Sequence, residues 1–286
     1  MTKSSRPNNV GASVRQRLLN LAHARGQPME LLLTRYTLER LLHRLSLSPH
    51  RDRFVLKGAM LLANWFDEPH RATRDVDLLG FGDAAEDALL ATFREIMSVE
   101  VDDGVSFDLV GLRIEAIREE LEYGGSRLRT TAALAGARIP ITVDVGFGDA
   151  VEPGVEDIDL PVLLDMPSPH LRAYPPETVI AEKFHAMVVL GRANTRMKDY
   201  YDVWMLTGAF EIDPERLHRA IVATFERRRT SIPLGTPDGL SDAFATDPGK
   251  QRQWDAFARN LSGTPPGLRL VVSELRDRLA GHLGLK

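Results

Sequence analysis

The sequence contains no cysteine among its 286 residues. Disulfide bonds, thiolate metal ligands and cysteine nucleophiles are therefore excluded, and any metal must be held by oxygen or histidine ligands. No run approaches the roughly 18 apolar residues that a membrane-spanning helix requires. Residues 1–18 are polar and basic and lack the apolar segment of a secretory signal. We therefore expect a cytoplasmic protein with no membrane contact.

An excess of positive charge is also missing. The formal net charge is −4, whereas a dedicated nucleic-acid-binding protein is expected to carry a basic footprint. The charge is divided unevenly, at −7 over residues 1–170 and +3 over residues 171–286. An acidic half beside a mildly basic half suits a metal site next to an anionic substrate, although ordinary surface variation would give the same asymmetry.

The hydrophobic pattern predicts two domains, with N-terminal helices and a sheet in residues 1–170 and helices in residues 171–286. Predicted helices lie at about 13–25, 30–45, 84–98, 177–190, 197–207, 214–228, 250–261 and 268–283, strands at 54–56, 107–110, 112–114, 128–134 and 137–146, and loops at 151–169 and 231–249.

Two aspartates stand in an apolar stretch early in the chain. Asp75 and Asp77 are separated by Val76 and followed by Leu78 and Leu79, a pattern that predicts a strand with both carboxylates on one face. Like charges on one face repel each other, and a divalent cation between them would explain the pair. The alternative is two exposed strand carboxylates without a ligand.

A third carboxylate belongs to the same predicted sheet. Residues 128–134 and 137–146 predict a β-hairpin whose second arm carries Asp144 on one face. Carboxylates that clamp ions roughly 3.5–4 Å apart are a recurrent device for phosphoryl and nucleotidyl transfer. Oxygen-only ligands favour Mg²⁺ or Mn²⁺. The sequence therefore predicts that Asp75, Asp77 and Asp144 bind such ions.

A glycine turn precedes the acidic strand. Lys57, Gly58 and Ala59 follow a short apolar strand and lead into a predicted helix. Such a turn offers backbone N–H groups and a positive helix end to phosphates, and Lys57 or Arg74 could add charge. The alternative is a plain turn.

In the second half, Lys183 interrupts the apolar face of a predicted helix, and Asp199 and Asp202 lie three residues apart on the next one. Lys183 either reaches towards a triphosphate or extends its ammonium group to solvent. The two acids are otherwise explained as exposed or helix-start residues. We expect Glu182 and His185 to be structural.

Together these residues match a motif series. It consists of Gly58-Ala59, Arg71-x-Thr73-x-Asp75-x-Asp77, Ile141-x-Val143-Asp144-x-Gly146-x-Gly148-Asp149, Ala181-Glu182-Lys183-Phe184-x-Ala186 and Arg196-x-Lys198-Asp199-x-Tyr201-Asp202-Val203. The series resembles the AbiEii/AbiGii toxin family, which includes the mycobacterial MenT toxins. Tyr123-x-Gly125-x-Arg127 also resembles the family pattern, and the likeness runs from about residue 54 to 207.

This resemblance implies an α+β fold, with a polymerase-β-type nucleotidyltransferase mixed sheet and an all-helical C-terminal lobe. It implies a metal-dependent nucleotidyltransferase that acts as the toxin of an AbiE-type toxin–antitoxin or phage-defence system beside a winged-helix AbiEi-type antitoxin. Characterised relatives use a nucleoside triphosphate (NTP) to modify the 3′ acceptor end of tRNA, which stops translation. A protein acceptor, or a non-catalytic module that binds nucleotide or antitoxin, remains an alternative.

The resemblance also implies residue roles. Asp75 and Asp77 would bind metal, Asp144 would help to activate the attacking hydroxyl, Lys183 would contact the triphosphate, and Asp202 would be an essential acid. The remaining nucleotide contacts would be Lys57, Gly58, Ala59, Arg71, Thr73, Arg196 and Asp199. The family usually has Gly-Ser or Gly-Gly where this chain has Gly58-Ala59, so a hydroxyl is absent while the backbone N–H groups remain.

Overall fold

The computed structural model describes residues 9–66, 73–117, 125–261 and 263–281. The chain divides into two compact units. The first comprises Met1–Gly148 and Asp157–Ala173, and the second comprises Asp149–Glu156 and Tyr174–Lys286. The predicted domains, residues 1–170 and 171–286, stay a prediction.

The helices described in the first unit all lie before its third strand in the sequence. They are α1 (Val10–Arg25), α2 (Met29–Leu47), the single turn α3 (Leu62–Trp65) and α4 (Glu86–Ser98), with 3₁₀ turns at Arg51–Arg53 and Ala59–Leu61. The Asn9 side chain accepts a hydrogen bond from the N–H of Ala12 at 3.0 Å and caps α1. Gly26, in the left-handed region at φ 61°, ends that helix.

Within the described residues, eight strands form one mixed sheet. They are β1 (Phe54–Lys57), β2 (Val76–Gly80), β3 (Val105–Phe107), β4 (Arg113–Ile117), β5 (Gly125–Leu134), β6 (Ala137–Phe147), β7 (Glu156–Asp159) and β8 (His170–Ala173). The order is β3-β5-β6-β2-β1-β8-β7, and β4 pairs with β5 beside β3. Strand β2 is parallel to β6 and antiparallel to β1.

The predicted hairpin is confirmed and fixes the register of two strands. Strands β5 and β6 pair from Leu134↔Ala137 outwards, and Ala135 and Gly136 between them have φ of 45° and 83°. Two positive φ values in a two-residue loop match the right-handed twist of the strands. One face of both strands is buried in alternation, and helices α1 and α2 contact β5 and β6 respectively.

Helices build the second unit. After Tyr174 they are α5 (Pro176–Leu190), α6 (Met197–Ala209), α7 (Pro214–Arg227), α8 (Asp242–Ala245), α9 (Pro248–Ala258) and α10 (Leu268–Ala280). Helix α5 packs on α6 and α7, and α10 packs on α6. Pro176 and Pro214 occupy first-turn positions, where the missing N–H costs no hydrogen bond.

Some predicted elements differ from the observed ones. Strand β2 begins at Val76, so Asp75 lies directly before the strand rather than in it. The predicted strand at 107–110 is wrong after residue 107, because the Asp108 carboxylate accepts a hydrogen bond from the N–H of Gly111 and closes a turn.

Two predicted loops also contain regular structure. Residues 151–169 include β7, which is short and polar and so gave no apolar signal. Residues 231–249 include a 3₁₀ turn at Asp238–Leu240 and the single turn α8. No helix of the described residues has the length and apolar character needed to cross a membrane.

A buried ion pair fixes α2 against the loop before β3. Arg44 donates to both carboxylate oxygens of Asp103 at 2.6 and 3.1 Å, and to the carbonyl oxygen of Val105 at 3.0 Å. The side chains of Arg44 and Asp103 are only 3% and 1% exposed. Removing one charge would leave the other without its partner in a site shielded from water.

We therefore expect Asp103→Asn to lower the free energy of unfolding by about 3 kcal/mol. Urea denaturation followed by circular dichroism measures the change. Asp102→Asn is the matched control, since its carboxylate is exposed in the neighbouring position. Equal effects of the two substitutions would show that the ion pair does not stabilise the first unit.

Candidate active site

Neighbouring parallel strands bring three carboxylates together. Asp77 of β2 is the direct partner of Asp144 of β6, and Asp75 lies two residues before Asp77. One oxygen from each carboxylate lies within 4.8 Å of the other two. The predicted convergence of the three acids is therefore present in the first unit.

The donor set of this cluster suits a hard divalent cation. All three ligands are carboxylate oxygens, which Mg²⁺ and Mn²⁺ prefer, and all three residues are partly buried. Partial burial weakens solvent screening of the mutual repulsion. A cation bound among the three oxygens would offset that repulsion.

Arg127 of β5 forms an ion pair with Asp144, the third of these carboxylates. Its Nε donates to Asp144 Oδ1 at 2.7 Å and its Nη2 donates to Oδ2 at 2.6 Å, a bidentate charge-assisted pair. These hydrogen bonds raise the pKa of the Arg127 guanidinium. Arg127 was missing from the predicted site residues. The predicted hairpin could have supplied it, because a turn at residues 135 and 136 places residue 127 opposite residue 144.

The strand register extends this contact into a row of charged residues. Lys57, Asp77, Asp144, Arg127 and Glu115 are successive direct partners across β1, β2, β6, β5 and β4. Directly paired residues share one face of a sheet. The two adjacent acids are therefore flanked by a lysine on one side and an arginine on the other.

Gly58 lies against one of these acids. Its φ is 72°, and a Cβ at this position would overlap the carboxylate of Asp77. Only glycine allows the chain to pass so close in this conformation. The helical segment after this turn consists of a 3₁₀ turn at Ala59–Leu61 followed directly by the single turn α3.

Thr73 orients the first aspartate. Its hydroxyl donates to Asp75, with Oγ1 at 3.0 Å from the carboxylate Oδ1 and 3.2 Å from the backbone carbonyl oxygen. The predicted nucleotide contact Thr73 is thus next to the acids. Arg71, also predicted to bind nucleotide, lies outside the described residues, as does Tyr123 of the Tyr123-x-Gly125-x-Arg127 motif.

The second unit has its own cluster of predicted site residues. The Lys183 ammonium of α5 lies 2.7 Å from Asp199 Oδ1 and 3.0 Å from Asp202 Oδ2, both on α6. The two carboxylates are buried. The alternatives of a lysine ammonium in solvent and of two exposed acids are therefore wrong, because the ammonium pairs with two buried carboxylates. The helix-start alternative is right for Asp199, which lies in the first turn of α6. Arg196 is exposed at the start of α6.

A second charged group in this unit contains residues that we expected to be structural. Arg228 pairs with Asp149 and Glu182, each at 3.3 Å. His185 is buried beside this arginine, and burial first and the Arg228 charge second lower its pKa to about 4. His185 is therefore neutral near pH 7, and its Nε2 lies 3.0 Å from the Thr230 hydroxyl.

Comparison with known proteins gives one family. A sequence model of the family described as "Nucleotidyl transferase AbiEii toxin, Type IV TA system" matches residues 40–277. The matched range contains the three acids of the first unit and the Lys183 cluster of the second. No curated protein matches the chain.

Solved structures align over most of the chain. JHP933 from Helicobacter pylori shares 14% identity at a TM-score of 0.43, covering 87% of this chain and 95% of its own. An antigenic nucleotidyltransferase-like protein from Paracoccidioides brasiliensis shares 15% identity at a TM-score of 0.37, covering 90% of this chain and 93% of its own.

The contact between Gly58 and Asp77 predicts an unequal response to alanine. Gly26→Ala should cost about 1 kcal/mol of unfolding free energy, since Gly26 has a positive φ but open space around it. Gly58→Ala should cost more and should also weaken Mn²⁺ binding at least about tenfold, because the Asp77 carboxylate must move. Urea denaturation and Mn²⁺ titration measure the two effects. Equal results for both variants would contradict this role of Gly58.

The Lys183 cluster predicts a large loss of stability on removal of its cation. Lys183→Met should lower the unfolding free energy by about 3 kcal/mol or more, since two carboxylates then remain buried without their ammonium partner. The neighbouring exposed Lys198→Met should change it by less than about 0.5 kcal/mol. Denaturant unfolding compares them. If the Lys183 variant behaves like the Lys198 variant, the ion pairs are not stabilising.

Proposed function

The chain belongs to the AbiEii nucleotidyltransferase toxin family of type IV toxin–antitoxin systems, and on this basis we propose that it transfers a nucleotidyl group from an NTP in a metal-dependent reaction. The observation that carries this proposal is the convergence of Asp75, Asp77 and Asp144 at one point of the sheet. Three adjacent carboxylates are unfavourable without a cation, and such a cation is what phosphoryl chemistry uses.

The proposed ligands are the three acids themselves. Asp75, Asp77 and Asp144 would hold Mg²⁺ or Mn²⁺, which would supply Lewis-acid stabilisation of the charge on the transferring phosphate. Thr73 keeps Asp75 oriented through its hydroxyl. Gly58 has no Cβ and so leaves room for the Asp77 carboxylate.

We assign the phosphate groups of the NTP to the turn beside these acids. Lys57 is the direct strand partner of Asp77, so it contributes positive charge to the face of the sheet that carries the acids. Gly58 and Ala59 offer backbone N–H groups, which bind phosphate without a side-chain hydroxyl. Arg71 and Thr73 are the remaining nucleotide contacts that we propose from the motif series of residues 1–170.

In the second unit we assign Lys183 to the triphosphate and Asp202 to an essential acid, with Arg196 and Asp199 as further nucleotide contacts. The support is geometric. Two buried carboxylates fix the Lys183 ammonium in one position, and a fixed charge loses little entropy when it binds phosphate.

The proposed acceptor is the 3′ end of tRNA. Its terminal hydroxyl oxygen would form a bond to the α-phosphorus, and the bond from that phosphorus to the bridging oxygen would break, releasing pyrophosphate. Asp144 would assist loss of the hydroxyl proton. The modified tRNA would no longer serve translation, which would make the protein a cytoplasmic toxin for phage defence, controlled by a winged-helix AbiEi-type antitoxin.

Two other functions use the same residues. The acceptor could be a hydroxyl on a protein, with a nucleotidyl or phosphoryl group transferred. The chain could instead bind nucleotide or antitoxin without turnover, a reading favoured by Ala59, which lacks a side-chain hydroxyl. Each gives a different result in the same assay.

The test incubates the protein with each of the four NTPs, total tRNA, total cell protein and Mg²⁺. The NTPs carry ³²P at the α position to follow nucleotidyl transfer and, in a parallel reaction, at the γ position to follow phosphoryl transfer. We expect label on the RNA, no transfer in EDTA, and recovery on addition of Mg²⁺ or Mn²⁺. Asp77→Asn should lower the rate at least about a hundredfold, because it removes a proposed metal ligand. Asp102→Asn, with its exposed carboxylate distant in sequence, is the control and should keep the parent rate.

The products separate the three functions. Label on protein instead of RNA would select the protein acceptor. Absence of label with every NTP, and with both acceptors, would select the binding module and overturn the enzymatic proposal. Label that persists in EDTA would overturn the metal dependence alone.

A further inference from the structure

We propose that a basic patch of the second unit, formed by Arg192, Lys198 and Lys250, binds the phosphate backbone of the RNA acceptor. Arg192 lies in a 3₁₀ turn at Gly191–Ala193, Lys198 in the first turn of α6 and Lys250 in the first turn of α9. The inference rests on the proposed function, because it names the surface on which the acceptor of that reaction would lie.

Tertiary contacts bring the patch together. The Lys250 ammonium donates to the backbone carbonyl oxygen of Asn194 at 2.8 Å, across 56 positions of the sequence. The Asn194 Oδ1 in turn accepts from the backbone N–H of Arg196 at 2.8 Å, and Asn194 is fully buried. One buried residue therefore holds the ammonium group of α9 beside the segment that leads into α6.

Two acids lie beside the patch. Asp247 caps α9, and its carboxylate accepts from the N–H groups of Gly249 and Lys250 at 2.7 and 3.0 Å. These hydrogen bonds lower the pKa of Asp247, and the nearby charge of Arg192 lowers it further. Asp238 lies beside the 3₁₀ turn. The Asp247 charge is thus already used to cap a helix, and Arg192 lies within electrostatic reach of α9.

The two exposed cations of the patch have no role in the ion pairs of this unit. Within the described part of the chain, neither Arg192 nor Lys198 forms an ion pair or a side-chain hydrogen bond. The beginning of a helix favours anions over cations, so the charge of Lys198 does not stabilise α6. Phosphate groups bound on the patch would offset the repulsion among its three cations.

The patch adjoins residues that we assigned to the nucleotide. Arg196 directly precedes α6, and Asp199 in the first turn of this helix pairs with Lys183 at 2.7 Å. This turn therefore carries the buried Asp199 and the exposed Lys198 side by side. An RNA strand on the patch would lie next to the proposed triphosphate contact.

The experiment measures binding of a 5′-fluorescein-labelled tRNA transcript to the nucleotide-free protein by fluorescence anisotropy, in Mg²⁺ and at several salt concentrations. The double variant Arg192→Gln/Lys198→Gln should bind at least about tenfold more weakly at low salt. The slope of log affinity against log salt should become shallower by about one to two, because phosphate contacts are lost. Arg192→Lys/Lys198→Arg keeps both charges and should stay within about twofold of the parent.

Arg259→Gln is the matched control for Arg192→Gln. Arg259 is exposed at the end of α9, roughly 13 Å along the helix axis from Lys250. At about 0.15 M salt the Debye length is about 8 Å, so a charge at that distance is largely screened. Arg192→Gln should weaken tRNA binding at least about threefold, whereas Arg259→Gln should change it less than about 1.5-fold.

Lys250→Gln tests the residue that the fold brings to the patch. It should weaken tRNA binding about as much as Arg192→Gln, and Lys250→Arg should restore most of the affinity because the charge is kept. Thermal melts check that both variants fold, since Lys250 also contacts Asn194.

The triphosphate of the NTP offers the same chemistry as an RNA backbone, and transfer kinetics separate the two. The double variant should raise the KM for tRNA at least about tenfold and leave the KM for the NTP within about twofold. A raised KM for the NTP with unchanged tRNA binding would assign the patch to the triphosphate and overturn the inference.

The remaining outcomes separate this inference from the proposed function. Equal tRNA binding by the parent, the double variant and Arg259→Gln, with label still transferred to RNA, would overturn the inference alone. Patch-dependent tRNA binding without label transfer to RNA would overturn the proposed reaction and leave the RNA-binding surface. Absence of tRNA binding by the folded parent would overturn the inference.

Discussion

The electrostatic repulsion between carboxylates on adjacent strands is the constraint on which the first unit depends. Asp77 and Asp144 are direct partners on parallel strands, with Asp75 beside them. A sheet fixes such a pair about 5 Å apart in its backbone and cannot separate it without losing ladder hydrogen bonds. The two flanking strands carry cations at the paired positions. Lys57 of β1 is the partner of Asp77, and Arg127 of β5 is the partner of Asp144. These two cations offset part of the repulsion among the three carboxylates, and a metal ion bound among their oxygens would offset more of it.

In the second unit, basic side chains are paired with acidic ones largely on helices. Lys183 is held between two buried carboxylates from α6, and Arg228 is held between Asp149 and Glu182. Buried ion pairs of this kind contribute little net stability against an apolar core, yet the loss of one partner is costly. They therefore fix the position of a charge more than they strengthen the fold. A charge fixed in advance loses little conformational entropy when a ligand binds to it.

Much of the fold could be predicted from the sequence, because the local spacing of apolar residues indicates helices and strands. Helices α4, α5 and α7 and the β5–β6 hairpin carry regular apolar spacing and clear turn residues, and they lie where they were predicted. Elements without regularly spaced apolar residues were not predicted. An example is β7, whose sequence is Glu-Asp-Ile-Asp. The acids of the site were predictable as residues, because alternation placed Asp77 and Asp144 on one strand face each, with Asp75 two residues before Asp77. Their contacts with basic side chains were not predictable, with one exception: the register of the hairpin places Arg127 opposite Asp144.

The sequence by itself determined which groups are available: no thiol ligand, three carboxylates in or beside strands, a glycine turn before two of them, and a motif series that indicates a family. Only the tertiary structure decided which charges meet. It paired Arg127 with Asp144 and buried Asp199 and Asp202 around Lys183. It also brought Gly58 against Asp77. The physical reason is that periodicity fixes the face on which a side chain lies, whereas strand register and helix packing fix its partner across the chain.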